Sequence, residues 1–208
     1  MARKGSNLND HRYSPDVVAI AIFGALGILF FGAFDFSGDY AINDDWGYST
    51  PVRWWVEHGK LKLTHWQSMP LISQIVSGIL WTELFGFSQG NLRKLTILFA
   101  LISCGSIYFI ARTIRIHPSL SLLVSILPLT SPIFLSLSYS FMSDIPSIAF
   151  MLLSVAFFIR SFRNENAGSN DYWVGLGFLL ISVLLRQTAI GIALALLIAE
   201  PFSRGIQA

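Results

Sequence analysis

Charge-free apolar stretches, each closed by a charged residue, recur along this chain. From Val17 to Phe34 no charged side chain interrupts the sequence, and Asp16 and Asp35 bound the run. A hydrocarbon core roughly 30 Å thick asks for about 17 to 25 apolar residues in a helix, so this run predicts a membrane-crossing segment. It follows a basic head with Arg3, Lys4 and Arg12. The run is too long for the apolar region of a cleavable signal peptide, and no small-x-small site follows it cleanly, so it reads as an anchor or true span. A second run, Leu95 to Ala111, lies between Arg93-Lys94 and Arg112 with Arg115. A third lies between Arg115 and Asp144, where no Asp, Glu, Lys or Arg occurs and where Pro128 and Pro132 predict kinks that neighbouring helices can accommodate. The fourth, Ile145 to Ile159, is short, but Arg160 and Arg163 close it and can snorkel to the interface. The last region, Tyr172 to Ala199, is interrupted by Arg186-Gln187-Thr188. It reads either as one tilted helix with a buried arginine or as two half-helices meeting at a membrane face. The pattern as a whole predicts an all-α protein, a polytopic transmembrane helix bundle forming a single membrane domain over residues 1–208.

The segment 35–91 has another character. Trp46, Trp54, Trp55 and Trp66 crowd its first half and Trp81 follows, a distribution suited to the headgroup belt. Between Pro70 and Gly86, Leu71, Ile72, Ile75, Val76, Ile79, Leu80 and Leu84 recur at helical spacing, with Ser73, Gln74, Ser77 and Glu83 largely opposite. This predicts an interfacial amphipathic helix rather than an additional span; a span here would invert everything after it. With a cytoplasmic N-terminus, Arg112, Arg115, Arg160 and Arg163 all fall on cytoplasmic connections and segment 35–91 is external. Arg53, Lys60 and Lys62 within that segment, with Arg93 and Lys94 at its end, count against the bias without reversing it.

Composition agrees with a membrane protein: 53% of residues are hydrophobic, only 12% are charged, and the mean hydropathy is +0.60. An average soluble domain carries about 25% charged residues. The single Cys104 supports no disulfide framework. A net charge of +2, with no basic tail, gives no reason to expect a nucleic-acid partner. No glycine loop for phosphate, no Cys/His cluster at metal-ligand spacing and no internal repeat is present, so no cofactor is required by the sequence, and a divalent metal is left open.

Chemistry must then come from charged groups at the membrane surface. Asp44 and Asp45, followed by Trp46 and Tyr48, come shortly after the first run. Two adjacent carboxylates beside aromatic rings and lipid cannot both be comfortably ionised, so one can carry a raised pKa and act as a base; the competing reading is a turn in which these residues cap a following helix. Asp144 opens the fourth run, where the helix dipole favours an acid, and alone it would be a cap. Arg186 sits between two apolar halves and is expected to face a cavity or pair with an acid, unless it snorkels at a helix end. Under the stated topology all three sites reach one external face.

The order of a first span, Asn43-Asp44-Asp45-Trp46-Gly47-Tyr48, Ser68-Met69-Pro70-Leu71, Leu84-Phe85-Gly86 and then Asn91-Leu92-Arg93 opening the next span resembles the multi-spanning GT-C glycosyltransferases. The likeness is to the protein O-mannosyltransferase and aminoarabinose-transferase-like group. Phe141-Met142-Ser143-Asp144-Ile145-Pro146 and Leu185-Arg186-Gln187-Thr188 resemble later acidic and basic elements of the same pattern. The resemblance implies sugar transfer, with inversion, from a polyprenyl-phosphate donor to an extracytoplasmic acceptor (lipid, glycan or protein) at the plasma membrane. It makes Asp45 or Asp44 the base, and Asp144, Arg186, Tyr48 and Trp46 the donor- and substrate-binding groups.

Met69-Pro70 stands where the family carries a proline pair, and Asp-Asp where it often has Asp-Glu. Such enzymes usually carry further spans, so the chain reads as the N-terminal part of the pattern. A transporter or channel subunit with an Asp144–Arg186 intramembrane pair is the alternative, and it predicts a broken helix around Arg186. A non-catalytic fragment requires only that the helices insert.

Overall fold

The computed structural model describes residues 14–33, 36, 38–42, 44–63, 71–163 and 168–205; nine α-helices and two short 3-10 segments make up their regular structure, without a strand. Arg3, Lys4, Arg12, Asp35, Asn43, Trp66 and Ser68-Met69-Pro70 lie outside the described residues.

Among the described residues three helices are long and apolar enough to cross a membrane: α1 (Pro15–Ala33), α4 (Gln89–Thr113) and α7 (Asp144–Arg163). Between α1 and α4 lie α2 (Asp45–His58) and α3 (Ile72–Phe85). The two ends of α4 fix how the chain runs. Near its C-terminus, Tyr108 and Arg112 donate to Asp16 Oδ1 at the start of α1, at 2.7 and 3.1 Å. Near its N-terminus, Arg93 donates to the carbonyls of Gly38, at 3.3 Å, and Tyr40, just after α1. The chain therefore leaves α1 and enters α4 at the same end of the bundle. The intervening α2 and α3 make no net crossing, as an interfacial segment requires.

Local sequence explains the breaks. Ser88 caps α4, its Oγ accepting from the Asn91 amide at 3.0 Å, and Gly59 ends α2 in the left-handed region that a side chain would strain. The third apolar run is α5 (Pro118–Ile126), a 3-10 segment (Leu127–Thr130) and α6 (Pro132–Ser138), bent by 74°. Pro128 and Pro132 lack amide hydrogens, so the helical ladder stops there and restarts under a Ser131 cap.

The last apolar region is two helices, α8 (Gly168–Val183) and α9 (Ile190–Gly205), separated by a 3-10 turn (Gln187–Ala189). This decides between the two readings of residues 172–199. α8 packs against α7 more extensively than any other helix pair. Gly175 permits it, since a Cβ there would sit 3.1 Å from the Phe158 ring. Between these helices Ser147 and Ser182 share a buried hydroxyl contact of 3.3 Å, the kind of polar join that membrane bundles use where lipid gives no hydrophobic drive.

The core is built around Val52, Leu71, Ile75, Leu92, Phe141 and Ile145, binding α2, α3, α4 and α7 together beneath the site. α3 differs in detail from the expected two-sided pattern. Its inward face carries Gln74, Ile75, Gly78 and Thr82, whereas Ile72, Val76, Leu80 and Leu84 point outward. The Gln74 amide donates to the Phe141 carbonyl at 3.4 Å, so a residue expected on the solvent side is an internal tie. An outward apolar stripe with Trp55 beside it is what a helix lying in lipid exposes.

Candidate functional site

Asp44 and Asp45 stand side by side in sequence and face different surroundings. Asp45, the first residue of α2, is fully buried. Its Oδ2 lies 3.7 Å from Arg93 Nε and accepts from the Phe141 amide at 3.5 Å, while Oδ1 has no hydrogen-bond partner. Burial pushes its carboxyl above the ordinary carboxylate range, and the Arg93 charge and the backbone donors pull in the opposite direction. Arg93 is itself almost wholly buried, and besides Asp45 it holds the Gly38 and Tyr40 carbonyls and stacks over the Tyr40 ring at 5.3 Å. Two further ties fasten the same segment: Asp39 Oδ1 accepts from the Gln89 amide at 2.7 Å, and Gln89 Nε2 donates to Ser49 Oγ at 2.8 Å.

Asp44 occupies the N-cap position of α2, is exposed, and makes no side-chain capping bond. One turn on, half-buried Tyr48 reports what surrounds it. Its phenol is pushed upward, chiefly by burial; Arg186 opposes the shift, and the carboxylates of Asp144 and Asp44 add to it. Asp144, the first residue of α7, forms an ion pair with Arg186, which sits in extended backbone in the break between α8 and α9. Both members keep about a quarter of their side-chain surface exposed. Asp44 and the Asp144–Arg186 pair thus each lie within electrostatic reach of Tyr48. Asp45 lies beneath them, turned toward Arg93. Trp46, at the second position of α2, has 43% of its surface exposed.

Arg93 is the member that the sequence pattern does not reveal, because in sequence it is a charge flanking a span. Its position was a signal, since a cation near a helix N-terminus opposes the dipole and needs another reason to be there. Trp55, Leu61, Leu63, Ile75, Ile79 and Leu80 line a wholly apolar groove of about 380 Å³ between α2 and α3. Among the described residues no three His, Cys, Asp or Glu side chains gather where they could hold a metal ion.

Residues 70–204 match the model of the dolichyl-phosphate-mannose-protein mannosyltransferase family. The chain belongs to this family. It is accordingly an integral membrane protein of the GT-C glycosyltransferase type, a class that works on lipid-linked sugar donors in the bilayer. The matched stretch takes in Arg93, Asp144 and Arg186 and leaves out Asp44, Asp45, Trp46 and Tyr48, so the place of the first-loop acids rests on the geometry above. No curated protein and no solved structure matches the chain.

Proposed function

We propose that this mannosyltransferase-family chain moves a sugar from a polyprenyl phosphate to an acceptor hydroxyl at the extracytoplasmic face, with inversion. The observation that carries the reading is the gathering of exposed Asp44, protonated Tyr48 and the Asp144–Arg186 pair at one end of a membrane bundle. Asp44 is the base. Its carboxylate takes the acceptor proton as the acceptor oxygen bonds to the anomeric carbon, a contribution of about 10² to 10⁴ in rate. The anomeric C–O bond to phosphate breaks on the opposite face, and the departing phosphate keeps the electron pair. Arg186, held in place by Asp144, stabilises that growing charge. Tyr48 remains a phenol at neutral pH and supplies a hydrogen-bond donor. One base and one cation suffice for a single displacement, with no covalent sugar intermediate. Asp45 and Arg93 act one layer below, fixing the loop that presents Asp44.

With the site end outside, Arg112, Arg115, Arg160 and Arg163 lie inside, as the positive-inside rule prefers. The break at Arg186 is also what a transporter would show, and the family match favours the transferase. Proteoliposomes charged with polyprenyl-phosphate mannose and an acceptor distinguish the two. Asp44→Asn should lose transfer by about 10² or more with donor binding retained. Turnover equal to wild type would remove Asp44 as base, and donor consumption absent in the wild type would remove the enzymatic reading of this chain.

A further inference from the structure

At the end of the bundle opposite the site, α1 and α4 splay apart. They touch closely at Gly27, where a Cβ would lie 3.3 Å from Leu101, whereas a Cβ at Gly105 would meet nothing within 4 Å. Phe23 and Tyr108, edge to face at 6.2 Å, stand in the gap. The result is a groove of about 470 Å³, apolar along Ala19, Phe23 and Gly105 and polar only at its mouth, where Asp16 and Arg112 meet. At that mouth Asp16 accepts from Tyr108 and Arg112, while Arg112 Nη1 donates to the Ile116 carbonyl. Exposed Arg115 follows three residues beyond Arg112. Asp16, Arg112 and Arg115 together leave one net positive charge.

We infer that this groove is a binding site for an anionic phospholipid of the leaflet at that end, one acyl chain lying over Gly105 and the phosphate meeting Arg112 and Arg115. Both walls are membrane-crossing helices, and only 6% of the α1 span is buried, so the groove opens to the hydrocarbon. A basic mouth between spans selects an anionic headgroup over a zwitterionic one. The N-terminal residues 1–13 are a poor rival occupant, since Met1, Leu8 and Tyr13 are their only large apolar side chains and Arg3, Lys4 and Arg12 repeat the charge of the mouth. The site is independent of the sugar chemistry at the other end.

Native mass spectrometry of the full chain, purified into mixed micelles with equal phosphatidylglycerol and phosphatidylcholine, tests it. The wild type should retain phosphatidylglycerol over phosphatidylcholine by about fivefold or more, the factor expected for each basic group near a headgroup. Gly105→Leu fills the groove and should bring the two lipids level, with Tm within a few degrees of wild type. Gly177→Leu, which also meets open space but lies on α8, should retain the wild-type preference. Should Gly105→Leu not fold, Arg115→Gln should still lower phosphatidylglycerol retention by about fivefold. Equal retention of both lipids by the wild type, or a preference untouched by Gly105→Leu and Arg115→Gln, would overturn the site. So would a dimer that Gly105→Leu dissociates, or a rise in lipid retention on deleting residues 2–11, since either result gives the groove a protein occupant.

Discussion

Replacing Arg93 by Met leaves the Asp45 carboxylate in a pocket built for an ion pair. Of its two oxygens, Oδ1 has no hydrogen-bond partner, and the carboxylate would keep only backbone donors, chief among them the Phe141 amide on Oδ2. The Gly38 and Tyr40 carbonyls lose their donor in the same step. Breaking a buried pair from one side typically costs about 3 to 5 kcal/mol. The 3.7 Å separation is longer than a good charge-assisted bond, which favours the lower figure, and the two abandoned carbonyls add on the order of 1 kcal/mol each. About 3 to 5 kcal/mol is therefore the expectation for Arg93→Met.

The penalty has a pH signature. Burial already raises the Asp45 pKa, and loss of the arginine raises it further. A carboxyl with a raised native pKa binds more protons folded than unfolded, so the variant loses stability as pH rises, by at most about 1.4 kcal/mol per unit, until the native pKa is passed. The deficit against wild type should thus be smaller at pH 5 than at pH 8. Asp45→Asn combined with Arg93→Met removes both charges and should recover part of the loss, giving a coupling of about 1 to 3 kcal/mol in a double-mutant cycle. The assay is equilibrium unfolding in mixed micelles followed by tryptophan emission. Additive single effects, or a deficit that does not depend on pH, would refute the argument.

Arg186→Ala should raise the KM for the lipid donor by at least tenfold, and Arg186→Lys should recover part of it, as measured by transfer against donor concentration. Tyr48→Phe should remove the tyrosinate band that titrates above the usual value near pH 10, seen as a difference spectrum against wild type. Gly90→Ala drives a methyl group into the Phe36 carbonyl and should destabilise the bundle by about 1 to 3 kcal/mol, read by the same unfolding assay. Leu80→Asp on the outward stripe of α3 should reduce quenching of tryptophan emission by brominated lipids without unfolding the bundle.

Charge-free runs mark lipid contact one helix at a time, which is why the long spans, the breaks at Pro128 and Pro132 and the interruption at Arg186 were legible in sequence. The partition of α3 was not. Gln74 turns inward because its amide has a carbonyl to meet 67 residues away, and no local pattern encodes that partner. The candidate acids were legible as residues but not in their division, since Asp44 and Asp45 differ only in what a distant α4 brings to them. Arg93 was hidden for the same reason: at a helix start it resembles any basic residue flanking a span.

The Asp45 pocket also sets an order on assembly at the ribosome. The arginine that neutralises it lies about fifty residues further along the chain, and the Phe141 amide 96 residues further. At about 5 to 20 residues per second, several seconds separate synthesis of the acid from synthesis of its counter-charge, and longer still from arrival of its amide. Even in the finished bundle few residues of α1 are buried, so this span leans little on its neighbours. The first loop can close only after α4 has inserted, so α4 acts as the checkpoint for the nascent chain, and a stalled chain ending before Arg93 would present an open acidic loop to the membrane quality-control machinery.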